Sequence, residues 1–378
     1  MASKKICFIV TDAISFNVLF KGQLEYFREH ADFDVTLICG GNEEQLEILR
    51  KRQVGTVVNA NFERKISLVK DIKSLAFLSR YLLSKDFDII IYSTPKALLF
   101  GSIASAFDLR SRTIAVVHGR VYENFVGLKK LLFQSFDRLS FIVSNKILFV
   151  SNSLFQNYID EKLISLKAGK VINNGSFNGV DIDFFHPVDL QKRRDLRNRL
   201  SLPNDSFVIC VVGRMCVDKG ISDIGLLARD LVHLNLKIVF VGNFEDTEAE
   251  KVIDEIVKRN QGYYIPHTAK INEIFQCSDL HLLLSHREGF GNVAIEAASC
   301  GIPTFAYDVV GVKDSVSDTI SGQRFDFQDY VSISDAITDA VNDSDFNLKY
   351  PFARQWAIDN FEQKAVWQNY LNFYLENI

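Results

Sequence analysis

Short apolar runs alternate with helix-length amphipathic stretches along almost the whole chain, and no other feature of the sequence limits the fold as tightly. Strands that alternate with helices pair in parallel, because each helix carries the chain back over the sheet. Covered on both faces, such strands read as continuous apolar runs. In the first half the strand candidates are 6–10, 35–39, 89–92, 113–117 and 147–150, and the helix candidates are 20–29, 44–51, 68–83, 97–106 and 129–143. The second half starts again with strand candidates 207–212, 237–241, 263–265, 280–284 and 303–307. Two successive doubly wound parallel sheets of an α/β chain are expected.

A chain of 378 residues exceeds one ordinary core, so two domains are the natural division. The run Asn173-Asn174-Gly175-Ser176-Phe177-Asn178-Gly179-Val180-Asp181 is rich in Asn and Gly, which accept positive φ, and it marks a hinge. The expected division is a domain over 1–180, a linker over 181–205, a domain over 206–350, and a helical, aromatic-rich segment over 351–378. No apolar run approaches the roughly 20 residues that span a bilayer, and the segment 6–10 is too short for the core of a signal peptide. A cytoplasmic protein is expected. Cysteines 7, 39, 210, 216, 277 and 300 form no CxxC pair and meet no histidine cluster, which argues against a zinc site.

Charge is unevenly divided. Residues 1–180 hold 24 Lys/Arg against 17 Asp/Glu, and residues 181–378 hold 19 against 30. A basic first half suits anionic lipid headgroups or a pyrophosphate-linked acceptor. The helix candidates 68–83 and 128–143 mix apolar residues with Lys70, Lys73, Arg80, Lys129, Lys130 and Arg138, a pattern shared by interfacial helices and by core-facing ones.

Two segments carry the chemistry. Arg287-Glu288-Gly289-Phe290-Gly291-Asn292-Val293-Ala294-Ile295-Glu296 follows a strand candidate and reads as strand, glycine loop, helix. Glycines let backbone approach a ligand, and the amides of a helix's first turn suit phosphate or sugar oxygens. Glu288 and Glu296, eight apart, can then address different ends of one molecule. Upstream, Gly213-Arg214-Met215-Cys216-Val217-Asp218-Lys219-Gly220 follows the first strand of the second half. It sets two cations at the carboxyl edge of a sheet, where doubly wound folds bind ligands.

The run from Glu288 to Glu296 resembles the E-x7-E motif of retaining GT-B glycosyltransferases of family four, and Gly213 to Gly220 resembles that family's G-R-x(4)-K-G. Thr94-Pro95-Lys96 and the hinge run are similar to segments of its capsular and O-antigen members. The resemblance implies a GT-B fold, two Rossmann-like doubly wound domains facing a cleft. It implies transfer of a hexose or N-acetylhexosamine, with retention, from a nucleotide diphosphate sugar, a UDP-sugar in first place. The expected acceptor is a glycan, in first place a polyprenyl-diphosphate-linked oligosaccharide of bacterial surface polysaccharide synthesis, reached from the inner face of the cytoplasmic membrane.

By the same resemblance Arg214 and Lys219 hold the pyrophosphate, Glu288 the hexose hydroxyls and Glu296 the ribose. Gly213, Gly289, Phe290, Gly291, Asn292 and Val293 line the donor, and His267 stands where main chain meets the base. Gly22 stands in a loop that touches the diphosphate in more glycine-rich relatives. His118, after the strand 113–117, approaches the transferred sugar, and Lys96, Arg120 and Glu123 face the acceptor. With cations at the leaving group, no metal and no cofactor are expected, and no nucleic-acid partner. A sugar-nucleotide epimerase of the same fold, a pyridoxal-phosphate phosphorylase and a non-catalytic nucleotide-sugar binder are the alternatives. Conversion of donor without acceptor, cofactor absorbance, and binding without turnover would respectively reveal them.

Overall fold

The computed structural model describes residues 3–123 and 125–378, with Asn347 described by its backbone alone. Thirteen strands are found among them: β1 (Lys4–Asp12), β2 (Phe33–Gly40), β3 (Thr56–Asn59), β4 (Ile89–Ser93), β5 (Arg112–Val117), β6 (Lys146–Phe149), β7 (Gly169–Val171), β8 (Phe207–Val212), β9 (Leu236–Val241), β10 (Gly262–Ile265), β11 (Leu280–Leu283), β12 (Thr304–Tyr307) and β13 (Gly322–Phe325). They form a seven-stranded sheet in the order β3-β2-β1-β4-β5-β6-β7 and a six-stranded sheet in the order β10-β9-β8-β11-β12-β13. The pairings are parallel, with Ile6 beside Ile89 in the first sheet and Phe207 beside Leu236 in the second. The chain divides into two compact units, Met1–Asn178 with Lys364–Ile378, and Gly179–Gln363.

The strands expected from the apolar runs are present, and three more appear: β3, β7 and β13. Each sits at a sheet edge, with a neighbouring strand on one side only, and the run is short, so the apolar signal is weak. The expected helix 20–29 is Gln23–His30, and a further short helix, Ala13–Leu19, precedes it. Asp12 caps the short helix by accepting from the Ile14 N–H at 3.0 Å, and Gly22, at φ +79°, starts Gln23–His30.

In the second unit the core joins Ile209, Val211, Phe240, Leu282 and Phe305 of the sheet to Ile224, Ile253 and Ile337 of the covering helices. Burying each such side chain stabilises by about 1.5–3 kcal/mol. In the first unit, helices Leu68–Leu83 and Gly127–Val143 both pack on the apolar helix Pro95–Ser105. They turn Ile72, Leu128, Leu131 and Ile142 outward, with Leu128 85% exposed.

Strand order reverses between β1 and β4 in one sheet and between β8 and β11 in the other. At such a switch point the loops leave in opposite directions and open a crevice at the carboxyl ends of the strands. The segments from Gly213 and from Leu284 are those two loops in the second sheet.

Candidate functional site

β8 runs into Gly213 at φ +147°, a conformation that a side chain rarely adopts. The neighbouring turn after β9 is built on Gly242, where a Cβ would lie 1.7 Å from the Gly213 carbonyl oxygen. Three hydrogen bonds then pin the segment: Met215 N–H to the Asn243 carbonyl at 2.9 Å, Glu245 N–H to the Met215 carbonyl at 3.0 Å, and Val217 N–H to Asp246 Oδ2 at 2.9 Å. Lys219 closes a single 3-10 turn, Val217–Lys219, and Gly220 at φ +72° leads into helix Ile221–Asp230.

The loop after β11 lies along this segment. Leu284 presses its carbonyl against Gly220, the His286 N–H donates to the Asp218 carbonyl at 2.9 Å, and Arg287 Nε donates to Asp218 Oδ2 at 3.1 Å. Glu288 accepts from Ser285 Oγ at 2.8 Å and is ion-paired with Lys219 Nζ. Both side chains of that pair are largely buried, 19% and 13% exposed, so little water screens the charges. Gly291 at φ +83° then begins helix Asn292–Ser299, which carries Glu296.

The structure therefore joins Lys219 and Glu288 directly. Arg214 leaves the same loop but gives its guanidinium to Glu245, at 2.5 Å, and is more than half exposed. No hydrogen bond or ion pair among the described residues links Glu296 to the other three. Phe290 is buried against Phe361, ring centroids 5.1 Å apart, so only its backbone faces outward chemistry. Val293 packs into a small apolar cluster with Leu283 and Ala306. His267 is exposed, its N–H 3.4 Å from Asn243 Oδ1.

Within the first unit, His118 follows β5 with its ring edge-on to Phe177 at 4.5 Å, and Nε2 is buried without a hydrogen-bond partner. Burial lowers its pKa to about 4, so the ring is neutral at pH 7. The residues expected at the acceptor have partners of their own. Arg120 is buried between Glu161, at 2.9 Å, and Glu123, at 3.1 Å; Lys96 is held by Asp71 at 2.9 Å and by the Lys65 carbonyl. Gly22 has a packing reason for being glycine, since a Cβ there would lie 2.4 Å from Trp367.

Sequence reasoning missed Ser285, Asp218, Arg287, His286 and Asp223, which hold the two loops together. Asp-x-Asp runs do occur, at 32–34, 86–88, 181–183 and 343–345, outside both loops. Among the described residues no group of three or more His, Cys, Asp or Glu is arranged to hold a metal ion.

Glu296 is partly exposed, and burial of its carboxyl raises the pKa from 4.5 to about 7. With the folded pKa above the unfolded one, its contribution is fully present below pH 4.5 and lost as pH rises through 7. Glu296→Gln is therefore expected to gain on the wild type across that window, by about 2–3 kcal/mol between pH 5 and pH 8. Urea unfolding of both proteins at pH 5 and pH 8 checks this; an unchanged difference would contradict it.

Residues 24–176 match the family described as Glycosyltransferase Family 4, and residues 192–356 match the one described as Glycosyl transferases group 1. The chain is 27% identical over 383 residues to the capsular polysaccharide biosynthesis glycosyltransferase CapM of Staphylococcus aureus, covering 99% of this chain and 97% of that one. It is 25% identical to the UDP-Gal:alpha-D-GlcNAc-diphosphoundecaprenol alpha-1,3-galactosyltransferase of Escherichia coli, over 87% and 85% of the two chains. Among solved structures, Anabaena HepE in complex with UDP and glucose is similar in fold, with a TM-score of 0.79 at 18% identity over 99% of this chain and 100% of that one.

Proposed function

We propose that this chain, which belongs to the GT-B glycosyltransferases, moves a hexose or N-acetylhexosamine from a UDP-sugar to a polyprenyl-diphosphate-linked oligosaccharide, with retention, in bacterial capsule or O-antigen synthesis. The reading rests above all on the Lys219–Glu288 pair at the switch point of the second sheet. Similar proteins whose names specify lipid-linked acceptors support the acceptor class, and a similar fold that holds UDP and glucose supports the donor.

In this reading the second unit takes the donor and the first the acceptor. Lys219, with Arg214 as the more exposed second cation, stabilises charge on the departing diphosphate. The amides at the start of helix Asn292–Ser299 and the backbone of Gly213, Gly289, Gly291 and Asn292 meet donor oxygens. Glu288 takes hexose hydroxyls and Glu296 the ribose. The acceptor hydroxyl attacks on the face that the diphosphate leaves, and a donor phosphate oxygen receives its proton. His118, neutral by burial, acts on the transferred sugar as an uncharged hydrogen-bonding group.

The same reading gives the outward apolar residues of helices Leu68–Leu83 and Gly127–Val143 a use. Interleaved with exposed Lys73, Arg80, Lys129 and Arg138, they suit contact with an anionic bilayer, where a lipid-linked acceptor resides. A thermal-shift series with UDP-, GDP- and ADP-sugars, followed by flotation with anionic and zwitterionic vesicles, tests both halves. The melting temperature is expected to rise with UDP-sugars, and the protein to float with anionic vesicles. A rise confined to GDP- or ADP-sugars would overturn the donor, equal flotation with both vesicles would overturn the anionic preference, and flotation with neither would overturn the membrane contact.

A further inference from the structure

Below the paired loops, the buried carboxylate of Asp223, in helix Ile221–Asp230, accepts three side-chain hydrogen bonds. They come from His286 Nε2 at 2.8 Å, Tyr307 Oη at 3.0 Å and Tyr330 Oη at 2.8 Å. Burial would raise this carboxyl, but the hydrogen bonds from His286, Tyr330 and Tyr307 hold it below its ordinary range. The two tyrosines belong to the scaffold: Tyr307 ends β12 and Tyr330 begins helix Tyr330–Asn342. His286 belongs to the loop, two residues before Glu288, and its ring also stands edge-on to Phe327 at 5.1 Å.

The consequence is mechanical. Tyr307 and Tyr330 fix where the carboxylate is, and the carboxylate fixes where the imidazole is. The imidazole in turn sets the stretch from Ser285 to Glu288, whose far end meets Lys219. A fully satisfied buried polar network selects one arrangement among several that apolar packing alone would tolerate. Loop stability by itself does not need the His286 imidazole, because Asp218 already holds the loop through the His286 backbone N–H and through Arg287.

We infer that Asp223 and His286 are positioning residues for the nucleotide-sugar donor, aligning Glu288 with Lys219 from beneath without touching the ligand. This rests on the donor-site reading above. The network predicts an asymmetry among substitutions that all disturb the same carboxylate. His286→Ala cuts the link to the loop, His286→Gln keeps an N–H that can donate to Asp223, and Tyr330→Phe removes a hydrogen bond on the scaffold side only.

The test is donor hydrolysis by the full chain with UDP-glucose and UDP-galactose, read as KM and kcat, with the melting temperature of each variant. His286→Ala is expected to raise the donor KM or lower kcat by roughly tenfold, since small misplacements of binding groups are costly. His286→Gln should recover most of that. Tyr330→Phe should lower the melting temperature and leave donor KM within about twofold of wild type, because Tyr307 still holds the carboxylate beneath His286. Equal kinetic effects of His286→Ala and Tyr330→Phe, or a His286→Ala protein that matches wild type, would overturn the inference while leaving the donor site standing. A wild-type protein that neither hydrolyses nor is stabilised by any nucleotide sugar would overturn the donor-site reading, and this inference with it.

Discussion

Replacing Lys219 with alanine is expected to lower kcat/KM for sugar transfer by about a hundred- to a thousandfold, the usual cost of removing one preorganised group that meets charge developing in the transition state. The ammonium sits in a largely buried site, so its field is poorly screened, and a diphosphate gains negative charge as the glycosidic bond breaks. The substitution has a second effect. It leaves the Glu288 carboxylate, 13% exposed, with the Ser285 hydroxyl but without its counter-charge, and an unpaired buried charge destabilises. The two effects separate in the double variant. Adding Glu288→Gln to Lys219→Ala should restore most of the lost melting temperature and none of the lost activity. Lys219→Arg keeps the charge with a different fork and should fall between. Arg214→Ala should cost less than Lys219→Ala, because the Arg214 guanidinium is more exposed and already shared with Glu245. A Lys219→Ala enzyme that turned donor over at the wild-type rate would end the proposed role.

Much of this site was legible in the sequence because it is carried by two continuous segments, each directly after a strand of the second sheet. A strand, a glycine and a helix start can be read locally, and the switch between β8 and β11 brings two such readings together. The supporting contacts were not legible. Asp223 and His286 are 63 residues apart, Asp218 and Arg287 are 69 apart, and neither pair leaves a periodic trace. The residues expected at the acceptor show the converse difficulty. Arg120 and Lys96 follow strands as ligand-binding cations do, yet each is held by a carboxylate of its own unit, and a cation after a strand looks the same in either role. The glycines divide likewise: Gly22 is glycine because Trp367 lies where a Cβ would go, whereas Gly213 has no atom within 4 Å of that place. The fold itself was clearest in the buried central strands and weakest at the edges, where β3, β7 and β13 are too short and too polar to stand out.

The contrast between Gly213 and Gly220 yields the other large expected effect. Gly220→Ala puts a Cβ 2.0 Å from the Leu284 carbonyl oxygen, at φ +72°. The left-handed conformation alone costs about 1–2 kcal/mol for a residue with a side chain. The clash adds to it, because the backbone fixes the Cβ, the atom it meets is a backbone oxygen, and no rotamer relieves them. A total loss of about 3 kcal/mol or more is expected, read as a lower urea midpoint at unchanged slope. Relief requires the two loops to part, and parting them separates Lys219 from Glu288, so donor binding should fall together with stability. Gly213→Ala should behave differently. Its Cβ enters open space, so only the strain of φ +147° remains, about 1–3 kcal/mol, while the added methyl occupies the place where a diphosphate would approach the backbone. That variant should stay folded and lose the thermal shift produced by UDP-sugar. If Gly213→Ala kept full donor affinity while Gly220→Ala lost it, the diphosphate would have to lie away from the turn after β8, and Lys219 would need another explanation than the leaving group.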